Sequence, residues 1–392
     1  MSEKLKLGII GLGNMGGSHM KSYADGNLPE IEITAVADID EKKFARALEL
    51  IPGVKCFNSA TELIQSGLCQ AVLIATPHYF HPTIGIEAME AGLHVMSEKP
   101  AGVYTKQVRE LIACADKHPD LTYAIMFNQR TNCTYRTVKR LIASGKYGEI
   151  KRVSWIMTDW FRTQAYYNSG GWRATWSGEG GGVMLNQCPH QLDLWQWLCG
   201  MPSKVRAVCH VGKWHNIEVE DDVTIYVEYP NGATGTFITS TGDFPGTNRL
   251  EITMEKAQIV INNDRSANGI RIFEMDQSST EFSNTSSEGF GKMAGEWKDL
   301  PTDDNLNLQH VGVLNAFAAH ILRGEPLIAD GREGINGLTI SNAAFLSSWT
   351  DKEVTLPIDE KKFYKLLQKK IKGSTYKKTV VEQVKKDMSG TY

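Results

Sequence analysis

Gly11-Leu12-Gly13-Asn14-Met15-Gly16 follows a short apolar run, residues 5–10, and opens a stretch of helical periodicity through Met20 and Tyr23. Between a strand and a helix, such glycines allow a tight turn, backbone contact with a pyrophosphate, and close packing of helix on strand. The helix N-terminus adds N–H groups and positive partial charge for the phosphates. A second apolar run ends at Ala35-Val36-Ala37-Asp38, setting a carboxylate 22 residues past Gly16, where an acid hydrogen-bonds adenosine ribose hydroxyls. Together these predict dinucleotide binding, with a purely structural glycine turn as the alternative. Asp38 would repel a 2′-phosphate, which favours NAD over NADP, although Lys42 and Lys43 stand close by. Lys99, within Glu98-Lys99-Pro100, follows the run 94–96 and so emerges at the carboxyl end of a parallel strand, where doubly wound sheets bind ligands. Its other reading is a surface lysine paired with Glu98. Asn186 and His190 are four residues apart, one helical turn. Pro189 fits the first turn of a helix, which puts Asn186 in the entering segment.

Positioning these groups requires two kinds of architecture. Runs at 5–10, 31–37, 71–75, 94–96 and 122–127 alternate with helix-like stretches, the pattern of βαβ units and a parallel sheet. After Arg130 one helical segment, 135–144, leads into alternating strands at 152–160, 204–211, 223–229, 234–240, 250–254 and 258–262. Pro230-Asn231-Gly232 is a turn signal that makes 223–240 a hairpin. The expected fold class is α/β: an N-terminal Rossmann doubly wound parallel sheet (residues 1–127), then an α+β domain with a large, mainly antiparallel open sheet (128–360). Helices at 189–199, 307–322 and 333–348 are expected to cover one face of that second sheet. Residues 263–305 read as long polar loops with one strand at 270–273. The end, 361–392, holds ten lysines and reads as a basic helix or tail.

A formal net charge of -3 offers no pull toward nucleic acid or anionic membrane. No apolar run is long enough to span a bilayer, and glycines punctuate the start, which reads as a strand rather than a signal peptide. The seven cysteines are scattered without CxxC spacing. They suit reduced thiols in a cytoplasm and give no metal site.

Three further segments follow the glycine loop in order: Ala75-Thr76-Pro77 with His81, Glu98-Lys99-Pro100, and Gly180-Gly181-Gly182 running to His190 and Asp193. The ordered set resembles the Gfo/Idh/MocA family, the group of glucose-fructose oxidoreductase and inositol dehydrogenase. The likeness covers roughly residues 5–357 and includes Phe127-Asn128-Gln129-Arg130 and Asp330-Gly331-Arg332. The resemblance implies hydride transfer at a carbinol carbon, with NAD contacts from Gly11, Gly13, Asn14, Met15, Asp38, Thr76, Pro77, His81, Glu98, Lys99, Asn128, Trp172 and Arg173. It implies Lys99 and His190 as catalytic residues converging on one hydroxyl, His190 as general acid/base and Lys99 polarising the hydroxyl. In much of the family the position of Asn186 is Asp. Asn cannot take a proton, so Asn186 is assigned to positioning, and Asp193 either buttresses its helix or touches substrate.

The stretch 155–176 is dense in aromatic and polar residues. Arg162, Tyr167 and Arg173 are its substrate or cofactor candidates, and core packing is the other reading of each aromatic. The leading expectation is an NAD-dependent dehydrogenase of a sugar, glycoside or cyclitol. One alternative is an NAD-dependent glycosidase that passes through a keto-sugar and returns the hydride. Another is a sugar- or dinucleotide-sensing regulator without catalysis. The resemblance also implies a homo-oligomer, dimer or tetramer, built through the second sheet.

Overall fold

A computed structural model describes residues 3–262, 269–302 and 304–375. Part of the polar stretch (263–268) and most of the lysine-rich tail (376–392) lie outside the described residues. The chain forms two compact units. One comprises the residues up to Asn132 together with Gly178–Gly180 and Asn307–Leu338; the other comprises Cys133–Ser177, Gly181–Leu306 and the chain from Thr339 onward.

In the first unit, β1 (Leu5–Ile10), β2 (Ile31–Ala37), β3 (Lys55–Phe57), β4 (Ala71–Ile74), β5 (His94–Ser97) and β6 (Tyr123–Ile125) form one sheet in the order β3-β2-β1-β4-β5-β6. Every neighbouring pair is parallel. These strands read as unbroken apolar runs because both sheet faces are buried. Leu7, Ile9, Val36, Leu73 and Met96 pack into one core cluster, and Ile10, Ala35, Val72, Ile74 and Val95 into another. The strand order reverses between β1 and β4, which marks the crevice where such sheets take ligands. β3 was not expected: at three residues it is too short for periodicity to register.

The helix Gln309–Arg323 corrects another expectation. Its residues Val313, Leu314, Phe317 and Ala318 enter the core of the first sheet, not the cover of the second. An amphipathic pattern says that a face must be buried, not which sheet buries it.

The second unit holds β7 (Ile150–Met157), β8 (Lys204–Val211), β9 (Glu220–Glu228), β10 (Thr234–Ser240), β11 (Asn248–Met254), β12 (Ala257–Asn262), β13 (Gly269–Met275), β14 (Gly295–Leu300) and β15 (Val354–Thr355). Their order is β14-β13-β12-β11-β7-β10-β9-β8-β15. All pairs are antiparallel except β7 with β10. The β9–β10 hairpin turns at Gly232, φ +85°, with Asn231 Oδ1 accepting the Ala233 N–H at 3.0 Å. Val223, Ile225, Val227 and Phe237 are buried, and Phe237 stacks on Trp195 of the helix Pro189–Cys199. Within 263–305, expected as loops around one strand, β13 pairs with β14 and a short helix covers Ser279–Thr285. The β14 sequence GEWKDL has no apolar alternation, so nothing in it announced a strand.

Candidate cofactor and substrate sites

In the first unit the glycine loop is dictated by space. Gly11 has φ +95°, and a Cβ there would lie 2.6 Å from the Ala75 carbonyl oxygen. A Cβ on Gly16 would stand 1.9 Å from the Gly11 oxygen. Gly13 differs: it begins the helix Asn14–Ala24 with no side-chain cap, no acid follows in the first turn, and a Cβ would meet nothing within 4 Å. The helix thus starts without a side-chain cap at the carboxyl edge of the sheet, a site suited to phosphate. Asn14 is exposed and Met15 half-buried at this end.

Asp38 follows β2, and its Oδ2 accepts the Leu12 N–H at 2.7 Å. Thr76 follows β4; its Oγ1 is buried with no hydrogen-bond partner, and so is Oδ1 of Asn128. The Asn128 amide nitrogen donates to Gln309 Oε1. Two buried oxygens without partners, an uncapped helix start and a carboxylate after β2 are the acceptors and donors a dinucleotide needs, so the residues fit that group. Pro77 gives its carbonyl to the Phe80 N–H as the helix Phe80–Glu90 begins.

His81 is a brace. It is buried, and its ring nitrogens lie 2.8 Å from the Pro100 carbonyl oxygen and 2.7 Å from that of Thr76. It ties the Thr76 loop to the Lys99 segment, with a backbone carbonyl oxygen against each ring nitrogen. Burial pushes its pKa down against those two backbone contacts.

Glu98 is buried and lies 2.8 Å from His19 Nε2, while its other oxygen accepts the Lys99 N–H at 3.3 Å. Burial raises the Glu98 pKa, but the His19 hydrogen bond and the charges of His19, His310 and Lys99 outweigh it and hold the carboxyl at about 2. The carboxylate therefore anchors the glycine-loop helix to the Lys99 backbone. His310 meets His19 edge to face at 5.6 Å, and burial brings its pKa down to about 4. Sequence reasoning gave no role to His19 or His310: the glycine motif's spacing does not point to His19 on the helix it opens, and His310 adjoins no motif.

In the second unit the candidates beyond β7 are Arg162 in a loop, Arg173 in a turn and Tyr167 on the short helix Gln164–Asn168. The Arg162 guanidinium lies over the Trp160 and Tyr166 rings, 5.3 Å from each. Its backbone is held on both sides: the N–H donates to the Thr241 carbonyl at 2.9 Å and the carbonyl meets His215 Nε2 at 2.8 Å. His215 Nδ1 lies 3.0 Å from the buried carboxylate of Asp221, which also accepts the N–H groups of Lys213, Trp214 and His215. Tyr167 is buried, its hydroxyl 2.7 Å from Thr241 Oγ1. Arg173 donates to the Tyr166 hydroxyl at 2.8 Å and stacks on the Trp172 ring at 4.6 Å.

Asn186 ends the short helix Val183–Asn186, and His190 is the second residue of the helix Pro189–Cys199, with Pro189 in the first turn as expected. The single helical turn that would carry both side chains is therefore broken between them. His190 and Asp193 are buried, and Asp193 accepts from Gln196 at 3.0 Å. The start of the first helix is fixed by the buried Glu220, whose oxygens accept the N–H groups of Gly182 at 2.9 Å and Met184 at 3.0 Å. Neither Glu220 nor Asp221 was singled out from sequence; an acidic run opening a strand, Glu220-Asp221-Asp222, was the available signal. Lys99 belongs to the first unit and His190 to the second.

A parallel sheet with an open helix terminus at its reversal point, followed along the chain by a large mixed sheet, defines the class of two-unit dinucleotide-binding proteins. Residues 5–125 match the family model described as "Oxidoreductase family, NAD-binding Rossmann fold", and residues 135–260 match the GFO/IDH/MocA C-terminal domain. The chain belongs to the Gfo/Idh/MocA family, and its cofactor is NAD. Inositol 2-dehydrogenase of Corynebacterium glutamicum is 24% identical over 240 residues, 59% of this chain and 66% of that protein. The chain thus spans slightly less than two thirds of that relative. Levoglucosan dehydrogenase of Pseudarthrobacter phenanthrenivorans is 26% identical over 296 residues, 67% of this chain and 75% of that protein. The crystal structure of the WlbA dehydrogenase from Bordetella pertussis, in complex with NADH and UDP-GlcNAcA, is 25% identical with a TM-score of 0.75, covering 91% of this chain and all of that one. No helix among the described residues is long and apolar enough to cross a membrane.

Proposed function

We propose that this protein transfers hydride between NAD and a secondary hydroxyl of a sugar, glycoside or cyclitol. The observation that carries the proposal is the carboxyl edge of the first sheet, where the uncapped start of the helix Asn14–Ala24, Asp38 after β2 and Lys99 after β5 all emerge from strand ends. The named activities of the inositol and levoglucosan relatives support the substrate class. NAD, when bound, supplies the acceptor for the hydride. Gly11, Gly13, Asn14 and Met15 would hold its pyrophosphate, Asp38 its adenosine ribose, and Thr76, Pro77 and Asn128 the rest of the dinucleotide.

Lys99 donates a hydrogen bond to the reacting hydroxyl and lowers its hold on the proton. Its backbone is fixed through Glu98 and His19, so the amine is presented from a rigid base. His190 takes the proton, and Asn186 offers an amide to a neighbouring hydroxyl. Arg162, Trp172 and Arg173 contribute planar, cationic and aromatic surfaces suited to sugar C–H faces or an acidic substituent. Tyr167 is assigned to substrate contact, with its hydroxyl positioned by Thr241.

The test is incubation of the purified protein with NAD and a panel of cyclitols, anhydrosugars, nucleotide sugars and aryl glycosides, following both reduced nicotinamide and released aglycone. Net NADH formation matched to substrate consumed is expected. Aglycone release without net NADH would replace this reading with the hydride-returning glycosidase, and ligand binding without turnover would replace it with the sensing role.

Two further readings go with the proposal. The sheet face carrying Val208, Thr224, Ile238, Ile156 and Arg249 in one cross-strand row has Val208 and Ile156 exposed, which supports a dimer or tetramer through this sheet. The seven cysteines are all free thiols, which supports a reducing cytoplasm.

A further inference from the structure

Asp38 is fully subscribed before any ribose arrives. Its Oδ2 accepts from Leu12 N at 2.7 Å and its Oδ1 from Asp40 N at 2.9 Å. The Lys43 ammonium then bridges both oxygens, at 3.0 Å and 2.9 Å. A carboxylate offers about four acceptor positions; two here are held by backbone N–H groups, and the two left for a ribose are held by Lys43, which a bound ribose displaces. The local fold makes the bridge deliberate: Asp40 caps the short helical turn Glu41–Lys43 by accepting the Lys42 N–H, and that turn delivers Lys43 back onto Asp38. Asp38 is buried, whereas the Lys43 side chain is 39% exposed, so the outward-facing charge at this edge is the ammonium. Beside it Ile39 is 92% exposed, an apolar side chain left in solvent where a flat purine ring would cover it.

An acid at the end of β2 selects NAD because its charge repels a 2′-phosphate. That argument requires the acid to be bare. With Lys43 clamped across it, the pair is close to neutral, and the ammonium can swing from the carboxylate to a phosphate of charge about −2. We infer that Lys43 sets the specificity of the ribose pocket, and that it makes this NAD-binding protein accept NADPH as well. This rests on the dinucleotide reading of the first unit.

The experiment is equilibrium titration of the full chain with NADH and with NADPH, read by nucleotide fluorescence and calorimetry, for the wild type, Lys43→Met and Lys43→Arg. The wild type is expected to bind NADPH within about tenfold of NADH. Lys43→Met is expected to weaken NADPH by about tenfold or more while NADH is unchanged or tighter, because the carboxylate is released to the ribose hydroxyls. Lys43→Arg is expected to keep NADPH binding. Raising salt is expected to weaken NADPH more than NADH in the wild type and to lose that difference in Lys43→Met. Tight NADH binding with NADPH excluded in the wild type, or an unaltered NADPH-to-NADH ratio in Lys43→Met, would overturn the inference and leave NAD binding standing. Failure of both nucleotides to bind would overturn it together with the dinucleotide reading.

Discussion

In the first unit the ligand-facing geometry is largely backbone: a glycine turn, a helix start and carbonyls braced by His81, all at the ends of six parallel strands. In the second unit the candidates are side chains, Arg162 in a loop, Arg173 in a turn and Tyr166 and Tyr167 on the helix Gln164–Asn168. Two buried carboxylates of β9 support the region: Asp221 holds His215 against the Arg162 carbonyl, and Glu220 fixes the start of the helix Val183–Asn186. A backbone cradle recognises what every dinucleotide shares and depends on space. A side-chain surface hung on buried charge can be respecified residue by residue, but it depends on those charges staying satisfied. The constant half of the chemistry thus sits on the rigid element and the variable half on the adaptable one.

The comparison can be broken most severely at the two residues given chemical roles. Lys99→Ala and His190→Ala are each expected to lower turnover by about 10²–10⁴, while NADH titration still shows binding. Full activity in either variant removes that residue from the mechanism.

Next is the contrast between two glycines of one loop. Gly16→Ala drives a methyl into the Gly11 carbonyl, 1.9 Å away, and is expected to abolish NADH binding and lower the melting temperature. Gly13→Ala meets no atom, so its stability is expected to stay within about 0.5 kcal/mol of wild type, while NADH binding weakens because the methyl occupies the open helix start. Equal behaviour of the two would refute a cradle built on space.

In the second unit, Glu220→Ala strands the Gly182 and Met184 N–H groups. Each buried unsatisfied group costs about 1–3 kcal/mol, a loss that urea denaturation would read.

The smallest effect separates two acid windows in the first unit. The folded-state pKa of His310 is depressed from 6.5 to about 4, so its contribution to stability is complete above pH 6.5 and is lost as the pH falls through 4. Glu98 is depressed from 4.5 to about 2, so its contribution is complete above pH 4.5 and disappears as the pH falls through 2. Glu98→Gln should flatten the lower window of a stability-against-pH curve, and His310→Gln the upper.

The same contrast explains what could be read from the chain alone. Strands buried on both faces announce themselves as apolar runs, and Gly11, Gly13 and Asp38 are separated by spacings that the phosphates and ribose impose. Both sheets and the Pro230-Asn231-Gly232 hairpin were therefore legible. The homing of the helix Gln309–Arg323 to the first sheet was not, because amphipathicity carries no address. His19 and Glu98 are 79 residues apart, and Asp221 reaches the Arg162 loop through His215 and Thr241. Bonds of that kind leave no periodic trace in a sequence. β3 and β14 failed for a simpler reason, one being too short and the other too polar to alternate.

The most direct measurement is the mass of the nicotinamide nucleotide recovered after the full chain is incubated with NAD and a panel of cyclitols and sugars deuterated at carbon. The expected result is reduced nucleotide carrying one deuterium from at least one member of the panel, formed in step with a keto product. A chain that binds NADH but returns NAD unreduced from every substrate would contradict hydride transfer as its function.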